Sequence, residues 1–374
     1  MVKVCHIISG YFRIDARVFQ RQCKSLKNNG FEVSVLTNDG EPEEVIDGIP
    51  FYSCRKVYDS RIMTLLFATK QFYNEAKIID ADIYQLHSPE LLPLGMKLKR
   101  LGKKVVYDAH EHLPMHVLEK DWIPRPLRVV ISKLVKWYIE FALPRFDFTI
   151  TPHSHVVSDL HKKVKNIELI ANFPLVNESG NFSCDEYLKR NNRICYTGTV
   201  YPYSNQQLLA QAVETINGVE YHIAGHIHGD QLKELENIIS PSKFKFHGRL
   251  AFDKLPNFYD NCTIGYVVYD YKLNLGYKLG SYGTNKIFEY MEAGLPIICT
   301  DYILWREIVE KYDCGICVEP NNYKQIEDAV NFLIDNREIA YGMGQNGRSA
   351  ILNEFNWGSQ EKCYLGIFEG NNEA

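Results

Sequence analysis

The segment GSYGTNKIFEYMEAGLPIICT, residues 280–300, decides the fold that this sequence predicts. Gly280 and Gly283 indicate a loop, and Thr284 is a candidate N-cap for a helix of about two and a half turns. Gly294 stands where a left-handed C-cap would fall. The apolar run that follows predicts a short buried strand. A loop, a helix and a strand in this order indicate part of a parallel α/β sheet.

The start of this helix has features of a phosphate site. Free backbone amides and the positive end of the helix dipole suit a phosphate, and Lys286 in the first turn adds a full charge. Glu289 lies three residues later on the same face, where a carboxylate can hold sugar hydroxyls. These residues fit a nucleotide sugar, but a solvated ion pair on an ordinary helix would have the same spacing.

The segment resembles the donor-site signature of the family 4 glycosyltransferases of the GT-B fold, N-K-x-F-E-Y-M-x-A-G-x-P, from Asn285 to Pro296. Three further segments are similar to that family: D-x-R-V at 15–18, V-Y-D-x-H-E at 106–111 and the stretch 246–268. The resemblance covers nearly the whole chain. It implies an α/β protein with two facing Rossmann-like domains and an active site in the cleft between them.

Strand-like and helix-like segments alternate along the chain, which predicts parallel sheets with helices on both faces. The polar stretch 175–192 is the best candidate linker. The resemblance implies an acceptor-binding domain over 1–175 and a nucleotide-sugar-binding domain over 190–357. It also implies a last helix, 358–374, that packs back on the first domain.

Composition indicates a cytoplasmic globular protein. The chain has 374 residues, 45% of them hydrophobic and 24% charged, which suits two domains. Its ten cysteines are scattered, and the close pair Cys314 and Cys317 lacks partners at zinc-site spacing. We expect no signal peptide, because the first residues form a strand. No run approaches the roughly 20 apolar residues of a membrane span.

Three residues form the predicted catalytic set. By resemblance, Lys286 stabilises the departing diphosphate, Glu289 holds the ribose and His110 lines the donor-sugar pocket. From the residues alone, the favoured reading of His110 is a loop histidine bonded to a backbone carbonyl, and only the resemblance reverses this. The run His110–Glu111–His112 has poor zinc spacing, so we expect no metal and no cofactor.

An acceptor-side set follows the first strand. Gly10 would let a ligand approach the backbone closely. Arg13 and Arg17 either hold an acceptor phosphate or are solvated. Asp15 either orients an acceptor hydroxyl or caps the following helix, and the cap is the favoured reading.

A donor-binding set is expected in the second half. Gly198 ends the first strand of that half, and Gly225 would allow a close approach to the nucleotide. Arg249 either reaches the diphosphate or is an ordinary exposed turn residue. The remaining members are Ser281, Gly283, Thr284, Asn285 and Phe288.

Two positions depart from the family pattern. Ser204 stands where the family usually has Lys or Arg for the diphosphate. Ser281 stands where the family often has a second Glu, eight residues before Glu289. These departures leave Lys286, Arg249 and the backbone amides of 281–284 as the candidates for neutralising the phosphate.

The segment 122–146 combines five Lys or Arg with one Glu and an apolar stripe at helical spacing. The stripe consists of Val129, Val130, Leu134, Trp137 and Phe141. Such a pattern suits peripheral contact with a membrane surface. The alternative is that the stripe packs on the first sheet and only the charges face water. Overall, residues 1–172 carry a net charge of +5 and the remainder −9.

The implied function is retaining transfer of a sugar from a UDP- or GDP-sugar to a lipid-linked saccharide, in surface polysaccharide synthesis such as O-antigen or capsule, at the inner face of the cell membrane. Two alternatives stay open: a non-catalytic nucleotide-sugar-binding subunit of a synthesis complex, and a nucleotide-sugar epimerase. The missing G-x-G-x-x-G argues against a dinucleotide oxidoreductase. The acidic balance and the lack of an aromatic platform argue against a nucleic-acid partner.

Overall fold

The chain divides into two compact units in the computed structural model. The first unit comprises Met1–Asn172 together with the C-terminal helix from Gly358 onward, and the second comprises Phe173–Trp357. Part of the expected linker, residues 177–181, lies outside the described residues. The structure describes residues 1–10, 13–54, 61–176 and 182–369.

The first unit is built on an eight-stranded sheet. Its strands are β1 (Lys3–Ile7), β2 (Glu32–Thr37), β3 (Glu44–Ile46), β4 (Ile49–Ser53), β5 (Ile83–Leu86), β6 (Lys104–Asp108), β7 (Phe148–Thr151) and β8 (Ile167–Leu169). The strand order is β3-β4-β2-β1-β5-β6-β7-β8, and all pairs are parallel except β3 with β4. Buried strands such as β5, IYQL, fit a sheet that is covered on both faces.

Helices connect these strands. A π-type helical segment, Ala16–Cys23, leads directly into the first α-helix. The α-helices are α1 (Lys24–Asn28), α2 (Arg61–Ile79), α3 (Leu92–Arg100), α4 (Leu113–Leu118), α5 (Arg125–Ala142) and α6 (Ser154–Leu160). Because the chain leaves β1 on one side and returns through β5 on the other, the strand order reverses between these two strands. Ligands of open α/β sheets bind at such a point, beyond the carboxyl ends of the strands.

The second unit contains a six-stranded parallel sheet. Its strands are β9 (Asn192–Val200), β10 (Val219–Ile227), β11 (Phe244–Phe246), β12 (Ile264–Val267), β13 (Ile297–Thr300) and β14 (Gly315–Val318). The order is β11-β10-β9-β12-β13-β14, which is the Rossmann order 3-2-1-4-5-6. The reversal falls between β9 and β12.

The helices of the second unit include the predicted one near residue 285. They are α7 (Cys184–Lys189), α8 (Gln206–Thr215), α9 (Gln231–Ile238), α10 (Leu255–Tyr259), α11 (Asn285–Glu292), α12 (Ile303–Tyr312), α13 (Tyr323–Asp335) and α14 (Arg337–Asn353). Thr284 has the extended backbone of an N-cap, but its side chain makes no capping hydrogen bond. Gly294 is left-handed, with φ +68°, as predicted for the C-cap. The strand after it is fully buried.

The last helix, α15 (Trp357–Glu369), belongs to the first unit from Gly358 onward. Its Tyr364 is fully buried, and the hydroxyl donates a hydrogen bond of 2.7 Å to Gln85 Oε1 of β5. Phe368 meets the ring of Phe31 edge-on. None of the helices in the described part of the chain combines the length and apolar character that a membrane span requires.

Candidate active site

Lys286 lies at the carboxyl end of β9, where the strand order of the second sheet reverses. Its ammonium nitrogen is 5.2 Å from the ring centre of Tyr196 and 5.9 Å from that of Tyr269. A Cβ atom on Gly198 would stand 3.0 Å from the same nitrogen. The first turn of α11 thus brings a cation to the place where a Rossmann-type sheet binds its ligand.

Lys286 carries its charge at neutral pH. Burial opposes the charged form, but the interaction with Tyr269 and the attraction of Glu289 together raise the pKa of Lys286 above its ordinary value. A protonated amine beside free helix amides is an anion site with both a full charge and a dipole.

Glu289 lies one turn further along α11 and is held by Tyr259. The Tyr259 hydroxyl lies 3.2 Å from Glu289 Oε2 and 3.1 Å from Thr197 Oγ1. Burial, and after it the charge of Glu289, raise the pKa of Tyr259 well above its usual range, so the hydroxyl keeps its proton as a donor. One carboxylate oxygen is thereby fixed, and a half-buried Glu289 is available to accept further hydrogen bonds.

The loop before α11 is fixed by contacts within the second unit. The Gly283 amide donates to Ser281 Oγ at 2.9 Å, and the Trp305 indole donates to the Ser281 carbonyl at 3.0 Å. Ser281 is completely buried. These two residues shape the loop, and the predicted use of the Gly283 amide for phosphate conflicts with its hydrogen bond to Ser281.

Asn285, the first residue of α11, has an unsatisfied oxygen. Its Oδ1 atom is buried and has no hydrogen-bond partner among the described residues. Burying a polar atom without a partner costs about 1–3 kcal/mol, so a donor from a ligand or water would be favourable here. Thr284 beside it is buried, with 9% of its surface exposed.

The assignment of Phe288 to the donor site is wrong. Its side chain is fully buried and packs among aromatic rings of the second unit, 4.8 Å from Phe173 and 5.8 Å from Phe355 between ring centres. Phe288 is therefore a core residue that anchors α11. Ile287, Phe288 and Met291 share one face of the helix, and this apolar periodicity was the available signal that Phe288 lies in the core.

Gly225 is required by the sheet itself. A Cβ atom at this position would lie 1.8 Å from the carbonyl oxygen of Gly198 on the neighbouring strand. The close approach is therefore made by protein backbone, whereas the sequence indicated a nucleotide. Arg249 is exposed and follows β11, two strands away from β9. Ser204 is a buried turn residue bonded to the Tyr201 carbonyl.

A second polar cluster lies in the first unit, at the carboxyl ends of β5 and β6. His87 Nδ1 lies 3.2 Å from His110 Nε2 and 3.4 Å from Asp108 Oδ2. His110 Nε2 lies 3.3 Å from the same carboxylate oxygen. On the far side of His87, Nε2 is 3.0 Å from His6 Nδ1. His110 is thus held by side chains from neighbouring strands.

Asp108 is the centre of this cluster, and the sequence reasoning missed it. Arg17 binds both carboxylate oxygens, with Nε and Nη2 at 2.9 and 2.8 Å, and Gln22 Nε2 donates at 2.8 Å. Burial opposes the charge, yet Arg17 and the histidines hold the pKa of Asp108 well below its usual range. Its place at the end of a buried strand was the available signal.

The arrangement around Asp108 corrects the reading of Arg17. Its guanidinium is buried and also donates to the Ile170 carbonyl and to Asn172 Oδ1. It is therefore neither solvated nor open to an acceptor phosphate.

His87, Asp108 and His110 are also the residues that could hold a metal ion. Their ligand atoms lie within 4.8 Å of one another. Against this, Asp108 Oδ2 already accepts hydrogen bonds from Arg17 and Gln22, and the guanidinium charge would repel a cation. A hydrogen-bonded cluster therefore explains the arrangement of His87, Asp108 and His110 better than a metal site does. Metal independence stays a prediction.

Arg13 is not available to an acceptor. Its guanidinium pairs with Asp39, at 2.6 and 2.9 Å, and with Glu44, at 2.7 Å, and it also donates to the carbonyls of residues 41 and 42. Hydrogen bonding to Asp39 and the nearby carboxylates raise the pKa of Arg13 above its usual range. The acceptor-side assignment of Arg13 is therefore wrong.

Asp15 is a helix cap, as favoured from the sequence. Its carboxylate accepts hydrogen bonds from the amides of Arg17, at 2.7 Å, and Val18, at 2.8 Å. Gly10 is left-handed, with φ +75°, and no atom of the described residues beyond its chain neighbours lies within 4 Å of a Cβ atom built there. Its predicted contact with a ligand stays a prediction.

Two family profiles match the chain. The profile described as Glycosyl transferases group 1 matches residues 186–350, and the profile described as Glycosyltransferase Family 4 matches residues 16–173. The chain belongs to the group 1, family 4 glycosyltransferases.

Two curated relatives come from Methanocaldococcus jannaschii. The chain is 23% identical over 235 residues to the uncharacterised glycosyltransferase MJ1178, over 62% of this chain and 61% of that protein. It is 24% identical over 191 residues to the uncharacterised glycosyltransferase MJ1069, over 49% of this chain and 46% of that protein. The chain thus matches less than two thirds of the length of either relative.

Solved structures are similar over the full length. Sucrose-phosphate synthase from Thermosynechococcus elongatus aligns with a TM-score of 0.74 and 14% identity, over 99% of this chain and 100% of that chain. Anabaena HepE in complex with UDP and glucose aligns with a TM-score of 0.72 and 14% identity, over the same shares. At this identity the likeness shows the fold alone, and it confirms the predicted GT-B fold of two Rossmann-like domains.

Proposed function

We propose that the protein transfers a sugar from a nucleotide diphosphate sugar to a hydroxyl acceptor, with retention at the anomeric carbon. One observation carries the proposal: Lys286 stands beside Gly198 at the reversal point of the second sheet, with Glu289 one turn along the same helix. The diphosphate of the donor needs a cation, and the ribose attached to it needs a carboxylate, at about the separation of Lys286 and Glu289 on the helix.

Lys286 and the start of α11 would act on the leaving group. As the bond between sugar and diphosphate breaks, negative charge grows on the diphosphate. A fixed ammonium stabilises that charge more in the transition state than in the ground state, which raises turnover. The raised pKa of Lys286 keeps the ammonium charged for this purpose.

Glu289 would hold the ribose hydroxyls. Tyr259 fixes one oxygen of the carboxylate, so its orientation is set before the donor binds. Asn285 Oδ1, buried without a partner, would accept a further hydrogen bond from the donor. The UDP held by Anabaena HepE makes UDP-sugars the first donors to test, ahead of GDP-sugars.

His110 would line the pocket of the transferred sugar. Its contacts with His87 and Asp108 fix the ring, so an imidazole nitrogen can orient a sugar hydroxyl. For the acceptor we propose a lipid-linked saccharide in surface polysaccharide synthesis, such as O-antigen or capsule, at the inner face of the cell membrane. The positive first half of the chain supports an anionic, diphosphate-linked lipid.

The test begins with a thermal-shift screen of UDP-, GDP- and dTDP-sugars. We expect one class to raise the melting temperature and to release free nucleotide when a lipid-linked saccharide acceptor is added. Stabilisation by none of them would overturn the proposal. Tight binding without transfer or hydrolysis would instead support a non-catalytic binding subunit, the candidate that Ser204 favours because it replaces the family's cation.

Lys286→Met then tests the mechanism. It keeps the length of the side chain and removes the charge, so turnover should fall about 100-fold or more while donor affinity changes less. Lys278→Met is the matched control, because Lys278 is exposed and also lies over a tyrosine ring, 5.1 Å from the centre of Tyr271. Equal turnover in both variants would remove Lys286 from the mechanism.

A further inference from the structure

Helix α5 has two apolar faces, and only one of them is covered in the first unit. The inner face packs on the core through Ile139 and Ala142, which are 7% and 0% exposed, with Val135 beside them. A helix of an α/β domain needs only this one face to be apolar. The second face therefore needs a separate explanation.

The outer face carries a continuous apolar stripe. It comprises Leu127, Val130, Leu134, Trp137 and Phe141, spaced alternately three and four residues apart along the helix. Their exposed fractions run from 40% to 64%, and Trp122, just before the helix, is 78% exposed. The alternative that this stripe packs on the first sheet is wrong, because its members face away from the core.

The aromatic members of the stripe form an ordered group. The rings of Trp137 and Phe141 stack at 5.9 Å between centres, and the Arg145 guanidinium lies 3.8 Å from the centre of the Phe141 ring. Aromatic side chains such as Trp, with a cation over a neighbouring ring, are typical of the boundary between water and hydrocarbon.

Basic side chains border the stripe. Lys133 and Arg145 are exposed, and neither has an ion-pair partner within the described ranges of the chain. Lys136 pairs with Asp159 at 3.1 Å. Residues 122–146 contain five basic residues and one acidic residue, so this segment carries a net positive charge.

We propose that the outer face of α5 docks the first unit on a membrane surface that contains anionic lipids. The stripe enters the headgroup boundary, Trp122 and Trp137 lie at the interface, and Lys133 and Arg145 contact lipid phosphates. This mode needs no helix that crosses the bilayer. The docking proposal goes beyond the proposed transfer reaction, since it rests only on the exposure and the charge of side chains on and beside α5.

A second copy of the chain is the competing occupant. Spacing of three and four residues also suits a helix–helix seam. Two identical copies, however, would bring Lys133 and Arg145 of each protomer toward the same cations of the other. An anionic membrane complements that charge, and a second copy does not.

The test uses the full chain and vesicles without any saccharide acceptor, so docking and transfer can fail separately. In cosedimentation, the protein should bind vesicles of phosphatidylcholine mixed with phosphatidylglycerol, bind pure phosphatidylcholine weakly, and be released by salt. No binding to the anionic vesicles would overturn the proposal.

The variant Leu134→Ser with Trp137→Ser should weaken vesicle binding about tenfold or more, since two exposed apolar side chains are lost from the contact. Both side chains are exposed, so the fold should be kept, and circular dichroism checks this. The control is Phe332→Ser with Ile339→Ser, which removes exposed apolar residues from the second unit, 40% and 48% exposed.

Lys133→Glu should weaken binding to anionic vesicles only. Equal binding by wild type and the Leu134/Trp137 variant would overturn the proposal. The proposal would also be overturned if wild type does not bind lipid but forms a dimer in sedimentation equilibrium, and the Leu134/Trp137 variant does not form this dimer.

Discussion

The ammonium nitrogen of Lys286 lies 3.0 Å from the point where a Cβ atom would stand on Gly198, at the end of β9. The missing side chain of one residue thus makes room for the charged end of the other. Gly198 also has φ +96°, which disfavours any other residue. The close packing of α11 on β9 is therefore at the Lys286 ammonium nitrogen, which is the atom that the proposed reaction uses.

Gly198→Ala should displace this ammonium and lower turnover about tenfold, with a loss of stability of about 1–2 kcal/mol from the left-handed backbone. The matched control is Gly218→Ala, because Gly218 has φ +70° and no atom in the described part of the chain, its chain neighbours aside, lies within 4 Å of its Cβ position. Turnover and melting temperature are measured for both. If both variants lose stability and keep their turnover, the contact between Gly198 and Lys286 does not contribute to catalysis.

Glu289→Ala should weaken donor binding about 10- to 100-fold, because a hydrogen bond to an ionised acceptor contributes about 1.5–3 kcal/mol. Isothermal titration with the nucleotide diphosphate measures this. Glu310→Ala, an exposed acidic residue on α12, should bind like wild type. Unchanged affinity in Glu289→Ala would defeat the ribose assignment.

The first unit should lose stability in mild acid. Burial lowers the pKa of His6, His87 and His153, the last to about 3 from a usual 6.5. Below about pH 6.5 the unfolded chain therefore binds more protons than the folded chain. The free energy of unfolding should fall by up to about 1.4 kcal/mol per pH unit for each histidine as the pH drops toward 5.

Hydrogen-exchange protection of β1 and β5 peptides between pH 7 and about pH 5 would measure this slope, after correction for the intrinsic exchange rate. His153→Gln should flatten it, and His161→Gln, at an exposed position, should leave it unchanged. Protection that is independent of pH in wild type would contradict the expectation.

Metal removal should leave donor binding and transfer unchanged. Arg17 and Gln22 already donate to Asp108, and the guanidinium charge opposes a divalent cation there. Activity is measured after dialysis against EDTA, with and without added Mn²⁺ or Zn²⁺. Loss with EDTA and recovery with one of these ions would instead assign His87, Asp108 and His110 as ligands, and His87→Gln should then abolish the recovery.

Local signals predicted the elements but could not predict the partners of distant residues. The loop, helix and strand of 280–300 follow from glycines and apolar runs a few residues apart, and the structure confirms them. Arg13 and Arg17 looked alike in the sequence. Their carboxylate partners Asp39 and Asp108 lie 26 and 91 residues away, so only the folded sheet reveals that both arginines are structural.

Apolar residues raised a related difficulty. Phe288 belongs to a signature segment and lies in the core, while Trp137 belongs to a helix of the core and faces outward. Helical periodicity shows that residues share a face but does not say what covers it. For α5 both faces are apolar, and so the sequence left the two readings of its stripe open.

The placement of Tyr364 has a consequence for biosynthesis. Its side chain completes the interior around Gln85, yet it is synthesised after all of residues 173–357, which form an uninterrupted unit. The first unit therefore lacks part of its interior until α15 has been synthesised, and the second unit can finish folding before it. In a nascent chain that is stalled before α15 is made, the first unit should therefore remain sensitive to proteases.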